Sequence, residues 1–262
     1  MRHRTPMVVV LAALVIGSTV HAAGARWKLD EGAGTVARDS SGNGCDLDLH
    51  GAKWATSEAG PAIDFNGTTA YLEARDPHKA DISGAFTISF WMNPAAWSDQ
   101  YSAGVVSKRR SDASLGYVIY ADGFFPTKIN LRIAGTAGGY AMLTSASDVD
   151  EDVWQHWVVT YDPAAKTLTW YKNGQVDKRY DSIVIGDTSN DTPIQIGHAH
   201  TWNGFYNGLL GQIEIADRAL TAGEISSEYK AGKAGLGSAS TPAVPVRWRV
   251  ITTRFPTDEA SR

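Results

Sequence analysis

Residues 154–176 read WQHWVVTYDPAAKTLTWYKNGQV. Val159 and Tyr161 alternate with Val158 and Thr160 until Asp162-Pro163 breaks the run. Leu168, Trp170 and Lys172 then alternate with Thr169 and Tyr171, and Asn173-Gly174 offers the two left-handed residues of a type I′ hairpin. Strands this rich in aromatic and β-branched residues suit a sheet buried against a second sheet. The stretch predicts a β-sandwich and says nothing about what the sandwich binds.

The same signals recur on both sides. Trp27-Lys-Leu-Asp opens a strand that runs into the turn-rich Asp39–Gly44, and Ile63–Asn66 and Ala70–Glu73 form a hairpin-like pair around Asn66-Gly67. FTISFWM at Phe86–Met92 alternates and ends at Asn93-Pro94. Further strands are expected at Gly104–Lys108, Leu115–Tyr120, Lys128–Ile133, Ala141–Thr144, Ile194–Gly197 and Gly211–Ile215. Asn-Gly dipeptides at 43, 66, 173, 203 and 207 punctuate them. Short strands with frequent turn signals define an all-β sandwich or jelly roll. One helix is predicted from Thr221: Thr221 and Glu224 fit a capping box, Ile225 and Tyr229 share a face, and Gly232 can end it.

The chain has 262 residues, enough for one large all-β domain or two small ones. Its first residues have the form of an export signal: basic Met1–Arg4, an apolar stretch from Met7 to Val20, and a small-residue cleavage site at Val20-His-Ala22 or Ala23-Gly-Ala25. Residues 1–22 are therefore expected to be removed, giving a secreted or extracytoplasmic protein. Loss of Arg2 and Arg4 would take the formal net charge from −4 to −6. An acidic exported chain is ill suited to nucleic acid, and the apolar stretch is short for a membrane span. The single Cys45 excludes an internal disulfide and is expected as a buried or partly buried thiol in a turn. Residues 233–262, rich in Gly, Ala, Ser and Pro before RWRVITTRFPTDEASR, read as a disordered tail or the start of a further module.

Taken in order, WKLDEGAGTVARDSSGNG, AIDFNGTTAYLEA, FTISFWMNP, VVSKRR, WQHWVVTYD, LTWYKNGQV and YNGLLGQIEIADRALTAGEI resemble the laminin-G-like jelly-roll modules of the concanavalin A-like lectin and glucanase superfamily. The resemblance spans roughly residues 26–232. It implies two antiparallel sheets of about six or seven strands each, packed face to face with one concave. It also implies a module that binds carbohydrate or protein. Many such modules hold Ca²⁺ on acidic residues after an FDG-like turn and before the RAL segment. Here Asn66, Thr69, Ala70 and Gly211 occupy those positions, so no cofactor is expected, with Ca²⁺ the one to consider.

Because relatives include glycoside hydrolases, paired carboxylates matter; retaining enzymes place two about 5 Å apart. Glu214 and Asp217 come nearest, but a spacing of three puts them on opposite faces of a strand, and Glu214 is expected to be solvated. The acidic run Asp148, Asp150, Glu151 and Asp152 reads as a solvated loop or a cation site. His198 and His200 would share a face as a loop-forming or sugar-contacting pair or, with more ligands, a zinc site, while His156 reads as structural. No catalytic residue is assigned.

Aromatic residues in loops carry the functional expectation, since sugar rings stack on indole and phenol faces. Trp97, Asp99 and Tyr101 in AAWSDQYSAG, and Trp202, Asn203 and Tyr206 in HAHTWNGFYNG, are the predicted ligand-binding residues, with Trp97 and Trp202 as stacking platforms. Phe124-Phe125 and Tyr140 are secondary candidates, and Trp91, Trp154, Trp157 and Trp170 are assigned to packing. The reading is an exported, non-catalytic module whose partner is carbohydrate or a surface glycoprotein. A protein-interaction or adhesion module is the alternative, and a glycoside hydrolase the third.

Overall fold

The computed structural model describes residues 23–99, 102–112, 114–199 and 202–236. Two sheets form the sandwich. The first runs, in spatial order, β14 (Gln175–Tyr180), β13 (Thr167–Lys172), β12 (Gln155–Asp162), β7 (Phe86–Pro94), β18 (Asn207–Ala216), β5 (Gly60–Asn66) and β4 (Lys53–Ser57), with β1 (Ala23–Trp27) also on β18. The second runs β11 (Tyr140–Thr144), β10 (Phe125–Ala134), β9 (Gly116–Asp122), β8 (Gly104–Arg109), β15 (Gln195–Ile196), β6 (Tyr71–Ala74), β3 (Leu47–His50) and β2 (Val36–Ala37). Short β16 (His198–Ala199) and β17 (Gly204–Phe205) join its β8 edge, where Phe205 pairs parallel with Gly104; the other strand pairings are antiparallel. The sheets thus hold eight and ten strands, more than the six or seven expected, because several short pieces join them.

The opening stretch forms the hairpin its alternation predicts. Trp157 pairs with Lys172 and Asp162 with Thr167. Asn173 and Gly174 take φ of 52° and 76°, as the I′ turn demands. Trp157 and Trp170 pack edge to face between the sheets, 6.1 Å apart at 88°. Each buried indole needs an acceptor: Trp170 Nε1 donates to the Leu143 carbonyl and Trp27 Nε1 to that of Cys45. Cys45 is buried, and its thiol is pushed up to about 12, chiefly by that burial.

Helix α1 (Ala222–Leu236) starts with the expected capping box: Glu224 N donates to Thr221 Oγ1, and Thr221 N to Glu224 Oε2. It does not end at Gly232. That residue lies against Trp91, where a Cβ would come 2.6 Å from the indole, so glycine serves close approach and not termination. The helix lies across the outer face of the first sheet. Ile225 joins Val158, Tyr171 and Leu220, while Tyr229 packs on Trp91 and Trp154. Trp91 and Trp154 therefore pack beneath the helix and not between the sheets. On the second sheet, residues 197–199 and 202–206 fold over the outer surface.

Candidate functional site: an arginine and aromatic cluster on the outer face of the second sheet

Alternation on β9 and β10 decides which side chains reach this face. Tyr117, Ile119 and Ala121, with Ile129, Leu131 and Ile133, point into the core. Val118, Tyr120, Asn130 and Arg132 must then point outward. Register brings rows of these residues together. Ser107, Val118, Arg132 and Met142 form one row across β8 to β11, and Arg109, Gly116, Ala134 and Tyr140 form the next. Gly116 and Ala134, both buried, lie between Arg109 and Tyr140 in that row, and a Cβ on Gly116 would run into the Lys108 carbonyl.

Over these rows residues 197–199 and 202–206 close tightly. A Cβ on Gly104 would lie 2.4 Å from Ala199 N, and one on Gly204 would lie 2.0 Å from Ser102 O. Ala199 packs with Val118 and Tyr120, and Trp202 settles 4.7 Å from the Tyr120 ring. The Arg109 guanidinium lies 5.1 Å and that of Arg132 5.7 Å from the Trp202 ring centroid. Arg132 also lies 4.5 Å from the ring of Tyr140, which is 63% exposed. Met142 is exposed beside them, and the Tyr120 hydroxyl reaches its sulfur at 3.5 Å.

The electrostatics are one-sided. Arg109 is buried, and its Nε and Nη1, like Nε of Arg132, have no hydrogen-bond partner among the described residues. Nor does either arginine form an ion pair among them. Burial first, and then the neighbouring Arg132, holds the Arg109 pKa below its ordinary value. Asp122 is engaged elsewhere, accepting from the Tyr120 hydroxyl at 2.6 Å and from Phe124 N at 2.7 Å. A cation–π contact contributes about 0.5–2 kcal/mol. An uncompensated buried charge costs several. The Trp202 ring therefore offsets part of this cost and leaves the in-plane N–H donors unused.

The residues predicted from sequence separate. Trp97 is not a stacking platform: it is 1% exposed inside the core, its Nε1 donating to the Lys128 carbonyl at 3.1 Å. Tyr206 is likewise fully buried, edge-on to Phe65, its hydroxyl donating to Leu209 O. Both lie in loop-like sequence, but the space between the sheets claims their rings. Asp99 and Asn203 are exposed, and Trp202 is half-buried on the outer face. Tyr101 and His200 lie outside the described residues. The predicted pair Trp97 and Trp202 thus shares no groove. Arg109, Arg132, Tyr120 and Met142 were missed. Alternation through KINLRIA marks Arg132 as outward-facing, but only strand register brings Arg109 beside it.

The other candidates resolve in structural terms. His198 Nδ1 lies 3.0 Å from Gln195 Oε1, and its ring stacks on Phe205 at 4.2 Å. Glu214 is not solvated: it is 2% exposed beneath α1, with Arg26 Nε 3.4 Å away, because the helix covers that face. Asp148 pairs with Lys128, Asp150 with Lys172, and Glu151 accepts from Ser98, so the acidic run ties loops together. The residues at the calcium position do not fit the ion. Asn66 Oδ1 accepts from the amides of Thr68, Thr69 and Ala70, and its Nδ2 donates to Thr69 Oγ1. Gly211 offers no side-chain oxygen and packs on Trp91.

Two face-to-face antiparallel sheets of this kind define a jelly-roll sandwich. More particularly, the chain belongs to the Concanavalin A-like lectin/glucanases superfamily, whose laminin-G-type family model matches residues 66–226. No curated protein matches the sequence significantly. Among solved structures, the fold is similar to the binding domain of Paraclostridial Mosquitocidal Protein 1, with TM-score 0.64 and 18% identity over 80% of this chain and 52% of that one. It is also similar to the Botulinum Neurotoxin serotype G binding domain, with TM-score 0.63 and 16% identity over 80% of this chain and 51% of that one. The receptor binding domain of botulinum neurotoxin D gives TM-score 0.61 and 12% identity over 80% and 52%. The chain therefore spans about half the length of these domains, and the likeness is one of fold.

Proposed function

We propose that this protein is an exported, non-catalytic module that binds carbohydrate through the outer face of its second sheet. The observation that carries the reading is the placement of both Trp202 and Tyr140 against the Arg132 guanidinium, with the phenol well exposed. A sugar stacks its C–H face on such rings while its hydroxyls meet guanidinium donors, the usual mix of apolar surface and a few placed polar groups in a ligand site. Family membership supports it, since the superfamily description names lectins. The similar solved structures are binding domains, which agrees with binding and not turnover. Glu214 and Asp217 fit hydrolysis poorly, because Glu214 lies buried beneath the helix. Export rests on the leader-like residues 1–22, and no helix among the described residues is long and apolar enough to cross a membrane. A glycan array probed with the parent protein and with Trp202→Ala and Tyr140→Ala tests the reading. Binding lost in both variants, and kept in Val176→Thr at the edge of the other sheet, is the expected result. Binding unchanged in both would refute this site. A protein partner predicts instead that capture survives enzymatic deglycosylation of the target.

A further inference from the structure

Resting on the carbohydrate reading above, we infer that the ligand is an acidic oligosaccharide, whose carboxylate or sulfate is received between Arg109 and Arg132 beside Trp202. Three independent observations lead there. First, two guanidinium groups approach the same indole, at 5.1 and 5.7 Å, with no acidic side chain paired to either among the described residues. Lys108, wholly buried, is surrounded by the carbonyls of Pro77, Asn190 and Thr192 and by Asp81. Arg26 faces Glu214. Lys108 is thus met by oxygens, whereas Nε and Nη1 of buried Arg109 and Nε of Arg132 have no hydrogen-bond partner among the described residues.

Second, the unused donors are of the right kind. Nε and Nη1 of Arg109 and Nε of Arg132 lie in the guanidinium planes, where a ring face cannot serve them. A planar or tetrahedral oxyanion can take such donors in pairs, which a neutral hydroxyl cannot do as strongly. Third, the rows around them supply the sugar-facing part. Tyr140 and Met142 are exposed beside Arg132. An anion alone would need no such aromatic rim. A neutral sugar would need no second arginine.

The test is calorimetric titration of the mature protein with three trisaccharides of matched length: neutral galactose, galacturonate, and sulfated galactose. The expected result is that at least one acidic form binds about tenfold or more tighter than the neutral one at low salt. That advantage is expected to shrink as salt rises and to vanish in Arg132→Gln. Whichever of the two anions binds tighter identifies the oxyanion. Because Arg109 is buried, Arg109→Gln is scored only alongside its melting temperature; half-buried Arg132 carries the comparison if Arg109→Gln does not fold. If the neutral trisaccharide binds as tightly as both acidic ones and loses binding in Trp202→Ala, this inference fails while the carbohydrate reading stands. If no saccharide binds, both fail. If acidic binding is insensitive to Arg132→Gln, the anion is received elsewhere and the inference fails.

Discussion

Arg132 holds its guanidinium 4.5 Å from the ring centre of Tyr140, and that ring is the more exposed partner. A cation held against a solvent-facing aromatic on a sheet surface does little for the core. Its place beside a second arginine and a half-buried tryptophan is what makes it the candidate site.

Tyr140→Ala is expected to cost little stability, within about 0.5 kcal/mol, because an exposed ring leaves no cavity. It is expected to weaken saccharide binding markedly. Paired urea melts and titrations check this, and a loss of stability matching the loss of binding would contradict it.

Trp97→Ala is expected to behave in the opposite way. Removing a buried indole and its bond to the Lys128 carbonyl creates a large cavity and costs about 3–5 kcal/mol. A Trp97→Ala protein that is as stable as the parent would show that this ring is not part of the core.

Gly232→Val is expected to loosen α1 from the first sheet, since its Cβ would meet the Trp91 indole at 2.6 Å. Overpacking of this kind costs about 1–3 kcal/mol. Faster amide exchange in the helix, with exchange in β12 and β13 unchanged, is the measurement.

The underside of the helix makes stability depend on pH. Glu228 is pushed up to about 7, first by burial and then by the carboxylate of Glu214, with Arg26, Arg218 and Glu224 also within its field. The folded protein holds this proton at pH values where the unfolded chain, near 4.5, has lost it. The stability it contributes is therefore fully present below 4.5 and declines as pH rises through 7. Glu228→Gln is expected to melt higher than the parent at pH 8 and equally at pH 4. His156 works with the opposite sign: burial beside Trp91 and Tyr229 lowers it to about 3. Its contribution is present above 6.5 and is lost as pH falls towards 3. His156→Phe is expected to flatten that acid limb, and an unchanged acid limb would contradict the assignment.

The fold was legible because alternation and turn chemistry are local. Val158 to Thr160, Asn173-Gly174 and the Thr221 capping box each state their own geometry. The site was less so, because it depends on register between strands distant in sequence. Trp97 and Trp202 look alike in sequence, both aromatic residues in polar loops. One turns inward to fill the space between sheets, while the other is held outside by the close approach of Gly204 to Ser102. Arg109 and Arg132 are separated by a strand and a turn, and pairing of β8, β9 and β10 is what makes them neighbours. Glu214 misled for a related reason: its strand alternation was read correctly, but the helix that covers it arrives from the end of the chain.

The most direct test of the account follows the Trp202 indole N–H by nuclear magnetic resonance during titration with a galacturonate oligomer. The account predicts that this resonance shifts first, together with backbone amides of β9 to β11, and that Arg132→Gln abolishes the shift. Shifts confined to the helix side of the sandwich, or none around Trp202 while the saccharide binds, would contradict it.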